Sequence, residues 1–236
     1  MAFDEMKEKF SKAVLETDID LIRELIESEH GDINSLIPPE NNTVLSNATF
    51  GTGDFVEKLI RLGADPNKQN SDGSTALTVA LWSSNLDVAH ILLDYGASVN
   101  YEKPSVGNTS LHLAAEHGHC DILVQLVKSA DASQLNRFGC LSFTPLMYAV
   151  QAGHMKIAKL LLDLGADINA CDVESSGNTA LHIACETGRV DMVHFLLENG
   201  ARTDIKGWMQ MTPRESITND DDKTGIKELL DKHPNK

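Results

Sequence analysis

Between Thr109 and Leu197 one arrangement of apolar and polar positions comes round three times: TSLHLAAEHGHCDILVQLV, TPLMYAVQAGHMKIAKLLL and TALHIACETGRVDMVHFLL. Its first leucine can be followed through the chain as Leu45, Leu77, Leu111, Leu146 and Leu181, and a small residue behind it as Ala13, Ala48, Ala80, Ala114, Ala149 and Ala184, in steps of 32 to 35 residues. A third marker closes the units: GDIN at 31–34, GADPN at 63–67, GASVN at 96–100, GADIN at 165–169 and the variant GARTD at 200–204. Each unit predicts two short helices. A Thr before the leucine serves as N-cap of the first, with Pro145 and Pro213 at the first helical position, where a missing N–H costs nothing. Gly118, Gly153 and Gly188 end the first helix in a turn that favours positive φ. The second helix has apolar residues three and four apart, as in Ile122, Leu123, Leu126 and Val127, or Ile157, Leu160, Leu161 and Leu162.

Neither helix can bury its stripe alone, whereas stacked units share one continuous core and contact mainly their neighbours. The units resemble ankyrin repeats, whose family pattern runs T-P-L-H-x-A-A-x-x-G-H, then a leucine-rich helix, then G-A-D-x-N. Thr179 to His182 and the GADIN at 165–169 match it closely, and the resemblance covers nearly the whole chain. It implies an all-α solenoid of stacked helix-turn-helix units joined by β-hairpin-like loops, in a single domain. An N-terminal cap occupies 1–36, internal repeats 37–69, 70–103, 104–137, 138–172 and 173–206, and a C-terminal cap 207–236. Two departures matter. The stretch TVLSNATFGTGDF is one residue short between its helices, and Ser84 stands where a turn glycine is usual, so those two turns are expected to be less regular. Both end units are eroded, the last into the polar run at 218–223.

Charge narrows the partners. The 236 residues carry 35 Asp and Glu against 20 Lys and Arg, a formal net charge of −15, with no basic run. A phosphate-tracking surface would oppose that field, so no nucleic-acid partner is expected. No stretch approaches the roughly 18 apolar residues of a spanning helix, and the first ten residues lack the apolar centre of a signal peptide. A soluble, cytoplasmic monomer without a membrane partner is the expectation. Cys120, Cys140, Cys171 and Cys185 form no C-x-x-C pair, which suits reduced thiols better than a disulfide framework.

No reactive constellation stands out. His117, His119 and Cys120 crowd three possible metal ligands into four residues, but the second cluster that zinc sites commonly use is missing, so no metal and no cofactor is expected. His119 and His154 hold the G-H turn position of the repeat, and the resemblance gives His112 and His182 a structural hydrogen-bonding role. There is no G-x-S-x-G, H-E-x-x-H or G-x-x-x-x-G-K, hence no expected catalytic residue. Asn67, Asn100 and Asn169 close the hairpins, where an Asx side chain can bond nearby backbone. The resemblance adds a second role, since ankyrin asparagines at this position are often substrates of a cytosolic asparaginyl hydroxylase. Asn169, with Leu161 and Asp167 before it, fits that context best, ahead of Asn100.

The resemblance also implies that the hairpin tips and the solvent side of the first helices form a concave surface that recognises proteins or peptides. Specificity then lies in positions the framework leaves free. Just after the buried alanine pair these are Phe50, Trp82, Glu116, Gln151 and Glu186, and the hairpins add Tyr101, Glu102, Phe143, Trp208 and Met209. Local packing across an irregular turn is the competing account of Phe50 and Trp82. The reading is a non-enzymatic adaptor or inhibitor whose protein partner offers an apolar anchor beside basic residues. The rival readings are a regulatory subunit masking a basic segment and an effector of an intracellular microbe that uses the same surface.

Overall fold

The computed structural model describes residues 2–28, 31–38, 40–99, 107–129, 132–172, 174, 176–217 and 224–233. They form two compact units, residues 1–113 with 121–130 and residues 114–120 with 131–236. In the first unit the helices come in pairs: α1 (Ala2–Leu15) with α2 (Ile19–Glu27), α3 (Val44–Ala48) with α4 (Gly53–Arg61), and α5 (Ala76–Trp82) with α6 (Leu86–Asp94). Next in the chain come α7 (Ser110–His117) and α8 (Cys120–Ser129). In the second unit α9 (Pro145–Ala152) pairs with α10 (Met155–Asp163) and α11 (Ala180–Glu186) with α12 (Val190–Glu198), before α13 (Thr224–Lys232). The one sheet among the described residues joins β1 (Leu36–Ile37) and β2 (Asn42–Thr43) antiparallel, with Leu36 opposite Thr43. This is the all-α repeat architecture the sequence predicts.

The entry threonines start the first helices as expected. Thr43 Oγ1 accepts the Ser46 N–H at 2.9 Å and Thr144 Oγ1 that of Met147 at 3.3 Å, and Pro145 occupies the first turn of α9. In α7 and α11 the histidine shares in the capping, since His112 Nδ1 accepts the Thr109 N–H and His182 Nδ1 the Thr179 N–H, each at 3.1 Å. Behind these caps Leu77, Ala80, Leu81 and Leu92 in the first unit, and Ala149, Ile157, Leu161, Ala184 and Val193 in the second, are fully buried. Alanine at the recurring small position keeps adjacent helix backbones close, and the leucines fill the space behind.

Three expectations are corrected. Ser84 does not loosen its turn: it adopts φ 57° and donates to Leu81 O at 3.2 Å while Asn85 donates to Ala80 O at 2.9 Å. Gly153 and His154 make the same pair of bonds to Val150 and Ala149 at 3.1 and 2.9 Å, so serine accepts the left-handed position at a cost of roughly 1–2 kcal/mol. The shortened turn after α3 does depart from the pattern, since Gly51 stays outside the left-handed region and closes on Ala48 O at 2.9 Å. Pro213 does not begin a helix. Thr212 and Glu215 form the reciprocal capping bonds, at 2.8 Å and 3.4 Å, but residues 213–216 make only a turn, closed by Ser216 N–H to Thr212 O at 3.0 Å.

The third correction concerns the hairpin asparagines, whose reach is longer than expected. Within each hairpin the aspartate caps its own turn: Asp32, Asp65 and Asp167 each accept the N–H two residues on, at 2.8–2.9 Å. The asparagine instead holds the next repeat. Asn34 donates to Gly63 O at 3.2 Å and accepts the Asp65 N–H at 2.7 Å; Asn67 does the same with Gly96 at 3.2 Å and Ser98 at 2.6 Å, and Asn169 with Gly200 at 3.4 Å and Arg202 at 2.9 Å. The G-A-D-x-N marker is thus one local cap followed by one clamp on a backbone about thirty residues further along the chain.

Candidate functional site

The five positions after the buried alanines, Phe50, Trp82, Glu116, Gln151 and Glu186, are all exposed. Phe50 is 63% and Trp82 67% accessible, so local packing does not account for either ring. The backbone beneath several of them is held by the residue that opens the second helix of the next repeat. Asn85, at the N-terminus of α6, donates through Nδ2 to Thr49 O at 2.8 Å and Gly51 O at 3.2 Å, the carbonyls on either side of Phe50. In the second unit His154 Nε2 donates to Glu116 O at 3.0 Å, and the Arg189 guanidinium donates to Gln151 O through Nε at 3.1 Å and through a terminal nitrogen at 2.8 Å. Gly118 and Gly153 make room for this reach. Both have φ 83°, and a Cβ at Gly118 would lie 2.9 Å from His154 Cε1, one at Gly153 against the Arg189 guanidinium. The variable side chains therefore stand on a fixed backbone, which lowers the ordering cost of any contact they make.

The hairpins add a second set. Residues 139–143 and 207–211 form the same tight loop, closed by Gly139 N–H to Phe143 O and Gly207 N–H to Met211 O, both 2.8 Å. At their tips Leu141 and Met209 adopt φ 59° and 56°, a left-handed conformation that glycine or asparagine takes more easily. Both side chains face solvent, Leu141 at 65% and Met209 at 64%, beside Trp208 at 61%. Asn178 ties this loop to α11, accepting the Trp208 N–H at 2.9 Å and donating to Glu186 Oε1 at 3.3 Å. Phe143 differs from its group: it is half-buried, with its ring edge-on to Tyr148 at 5.5 Å between centroids. Tyr101, Glu102 and Asn100 lie outside the described residues. Sequence reasoning passed over Leu141 because nothing around it signals a left-handed tip, and over Leu15, 83% exposed, because beside Val14 it reads as part of the helix core.

His182 serves the structure. His182 is fully buried; its Nδ1 faces Thr179 and its Nε2 lies 3.1 Å from Met211 O. Burial pushes the imidazole below its ordinary value, against the raising effect of that carbonyl. The His117 and His119 rings stack at 5.7 Å, and no group of three or more His, Cys, Asp or Glu that could hold a metal ion occurs among the described residues. Asn169 is engaged at both side-chain atoms, as above. No described helix is long and apolar enough to cross a membrane.

Comparison with known proteins agrees with this framework. A family model of ankyrin repeats matches three times, at residues 10–103, 47–137 and 111–207. Similar proteins include the human ankyrin repeat and KH domain-containing protein 1, 36% identical over 45% of this chain and 4% of its own length. The mouse B-cell lymphoma 3 protein homolog is 32% identical over 68% of this chain and 36% of its own, and human palmitoyltransferase ZDHHC17 34% identical over 67% and 30%. The chain spans less than half the length of each of these relatives. With the leucine and alanine pitch, the threonine caps and the asparagine clamps all recurring in step, the chain belongs to the ankyrin-repeat family.

Proposed function

We propose that this chain is a non-enzymatic adaptor or inhibitor that binds a protein partner through the exposed positions after its buried alanines and through its apolar hairpin tips. Ankyrin repeats are protein–protein interaction modules, and the observation that carries the finer reading is the clamped backbone under Phe50, Glu116 and Gln151. A large aromatic on a fixed backbone anchors a partner at low entropic cost. The acids Glu116 and Glu186, in a chain of net charge −15, favour a partner with basic residues near its apolar anchor. That same charge supports a more specific version, in which the module masks a basic segment of a regulatory protein.

Affinity capture from a cell lysate tests the reading, with wild type compared against a Phe50→Ser, Trp82→Ala double variant of matching melting temperature. A stoichiometric partner held by wild type and lost by the variant is expected. For that partner, Glu116→Gln with Glu186→Gln should slow association and flatten its salt dependence, with little change in dissociation. If the double variant captures the same proteins as wild type, these positions do not bind.

A further inference from the structure

An open groove of about 490 Å³ lies in the first unit, between the C-terminal end of α1 and the turn after α3. Its floor is Val14, Ala48 and Phe55, all buried, and its walls are Leu15 and Phe50, the first 83% and the second 63% exposed. Both walls are held in place. Asn85 grips the carbonyls that flank Phe50. Beyond Leu15 the chain turns back at once, with Glu16, Thr17 and Asp18 N–H groups bonded to Lys12, Val14 and Ala13 carbonyls at 3.0, 3.2 and 2.9 Å. The groove is a formed feature whose two bulky apolar walls are left uncovered by the described residues, and its volume falls within the range of clefts that enclose small ligand groups, about 300–1,000 Å³.

Charge identifies the occupant. Among the described residues, Glu40 is the one ionisable side chain lining the groove. It accepts a hydrogen bond from Asn42 Nδ2 at 3.1 Å and stands at the turn between β1 and β2. Two cations on the helices that supply its lining have acidic partners of their own, Lys12 with Glu16 at 3.8 Å and Lys58 with Asp54 at 2.7 Å. The groove also receives the C-terminal end of α1, the negative pole of a fourteen-residue helix. Apolar walls, an acid on the rim and a negative helix end make a site complementary to an apolar side chain with a cation beside it.

We infer that this groove binds a short linear segment of another protein, in which one bulky aliphatic or aromatic side chain, seated between Leu15 and Phe50, is flanked by a lysine or arginine that meets Glu40. The inference rests on the protein-binding reading above and narrows it to one recess and one chemical class of ligand.

Selection from a phage-displayed library of random short peptides on the immobilised full chain is the test, followed by chemical-shift mapping of the winning peptide. Enriched sequences should pair a large apolar residue with an adjacent Lys or Arg, and should perturb the amides of Leu15, Asn47, Phe50 and Gly51. Leu15→Ser and Phe50→Ser, both at exposed positions, should each weaken binding by about tenfold, and Glu40→Lys should reverse the preference for basic residues. Peptides that map to the Glu116, Glu186 or Trp208 positions would overturn the groove assignment and leave the protein-binding reading standing. No enrichment, or enrichment without an apolar anchor, overturns it as well, whereas the broader reading falls only with the lysate experiment. Sedimentation showing a dimer that Leu15→Ser dissolves would overturn it too, by assigning the groove to a second copy of the chain.

Discussion

Replacing Asn85 separates two roles that one side chain fills. Its Oδ1 accepts the Val88 N–H at 3.4 Å as N-cap of α6, and its Nδ2 donates to Thr49 O at 2.8 Å and Gly51 O at 3.2 Å. In Asn85→Ala both are lost. The cap is worth about 1 kcal/mol. Because Thr49 is fully buried, its unpaired carbonyl adds about 1–2 kcal/mol, for a total of about 2–3 kcal/mol. Asn85→Asp keeps an acceptor at the cap and adds a charge that the α6 N-terminus favours by about 0.3–1 kcal/mol, but it removes the donor and sets a carboxylate against two carbonyls. If the clamp matters, the aspartate variant is still less stable than wild type, by about 1 kcal/mol or more. For a chain of this size each kcal/mol moves the melting temperature by about 2–4 °C, so the alanine variant should melt about 5–10 °C early. Circular dichroism melts of the three proteins give the order, and hydrogen exchange at the Gly51 amide, bonded to Ala48 O, reports whether the turn carrying Phe50 opens. An Asn85→Asp protein that melts at or above wild type with an unchanged Gly51 amide would refute the clamp.

At the left-handed tips, Leu141→Gly and Met209→Gly should each change stability in the favourable direction by up to about 1 kcal/mol, relief of the left-handed strain partly offset by the extra chain entropy of glycine; a loss of more than about 1 kcal/mol in urea titrations would show that these side chains pack. His182, held below its ordinary value of 6.5 by burial, binds fewer protons folded than unfolded, so its contribution is fully present above pH 6.5 and is lost as pH falls below that, at no more than about 1.4 kcal/mol per pH unit. His182→Gln should flatten that part of the pH dependence of unfolding, and an unchanged slope would mean another group carries it. Removing residues 207–236 strips Met211 from His182 and Trp208 from Asn178, and it uncovers the end of the stack, so the truncated chain should aggregate or melt early; a melt like that of the full chain would show that this segment does not cap.

The helices were legible because each is demanded several times over: a leucine at Leu77, Leu146 and Leu181 with an alanine three residues on is one packing solution repeated, and chance does not repeat it. Features set by distant partners were not legible. Nothing near Asn67 in the chain says that its amide meets Gly96, 29 residues away, and Ser84 is held left-handed by the bonds of its turn despite its Cβ. Pro213 shows the reverse failure. The segment Thr212 to Glu215 carries a complete capping signal, and hydrogen bonds from Thr212 hold the Glu215 carboxyl below its usual value, yet the turn stops after one loop of chain because no apolar run follows to make a helix worth burying. A cap orders the first turn; packing decides whether a second forms.

The candidate site follows the same division. Leu141, Phe50 and Trp82 are the residues a repeat pattern cannot explain, because no neighbouring unit needs them, and their exposure is the consequence. What holds them in position is nevertheless framework: Asn85, His154 and Arg189 belong to the recurring turn position that opens a second helix, and each reaches back to the end of the first helix of the preceding repeat. The three differ in chemistry, an amide, an imidazole and a guanidinium, while sharing one requirement, an N–H donor long enough to reach a carbonyl. A position can therefore vary in identity and still be structural, and the variable residues that remain once such donors are set aside are the ones free to recognise a partner.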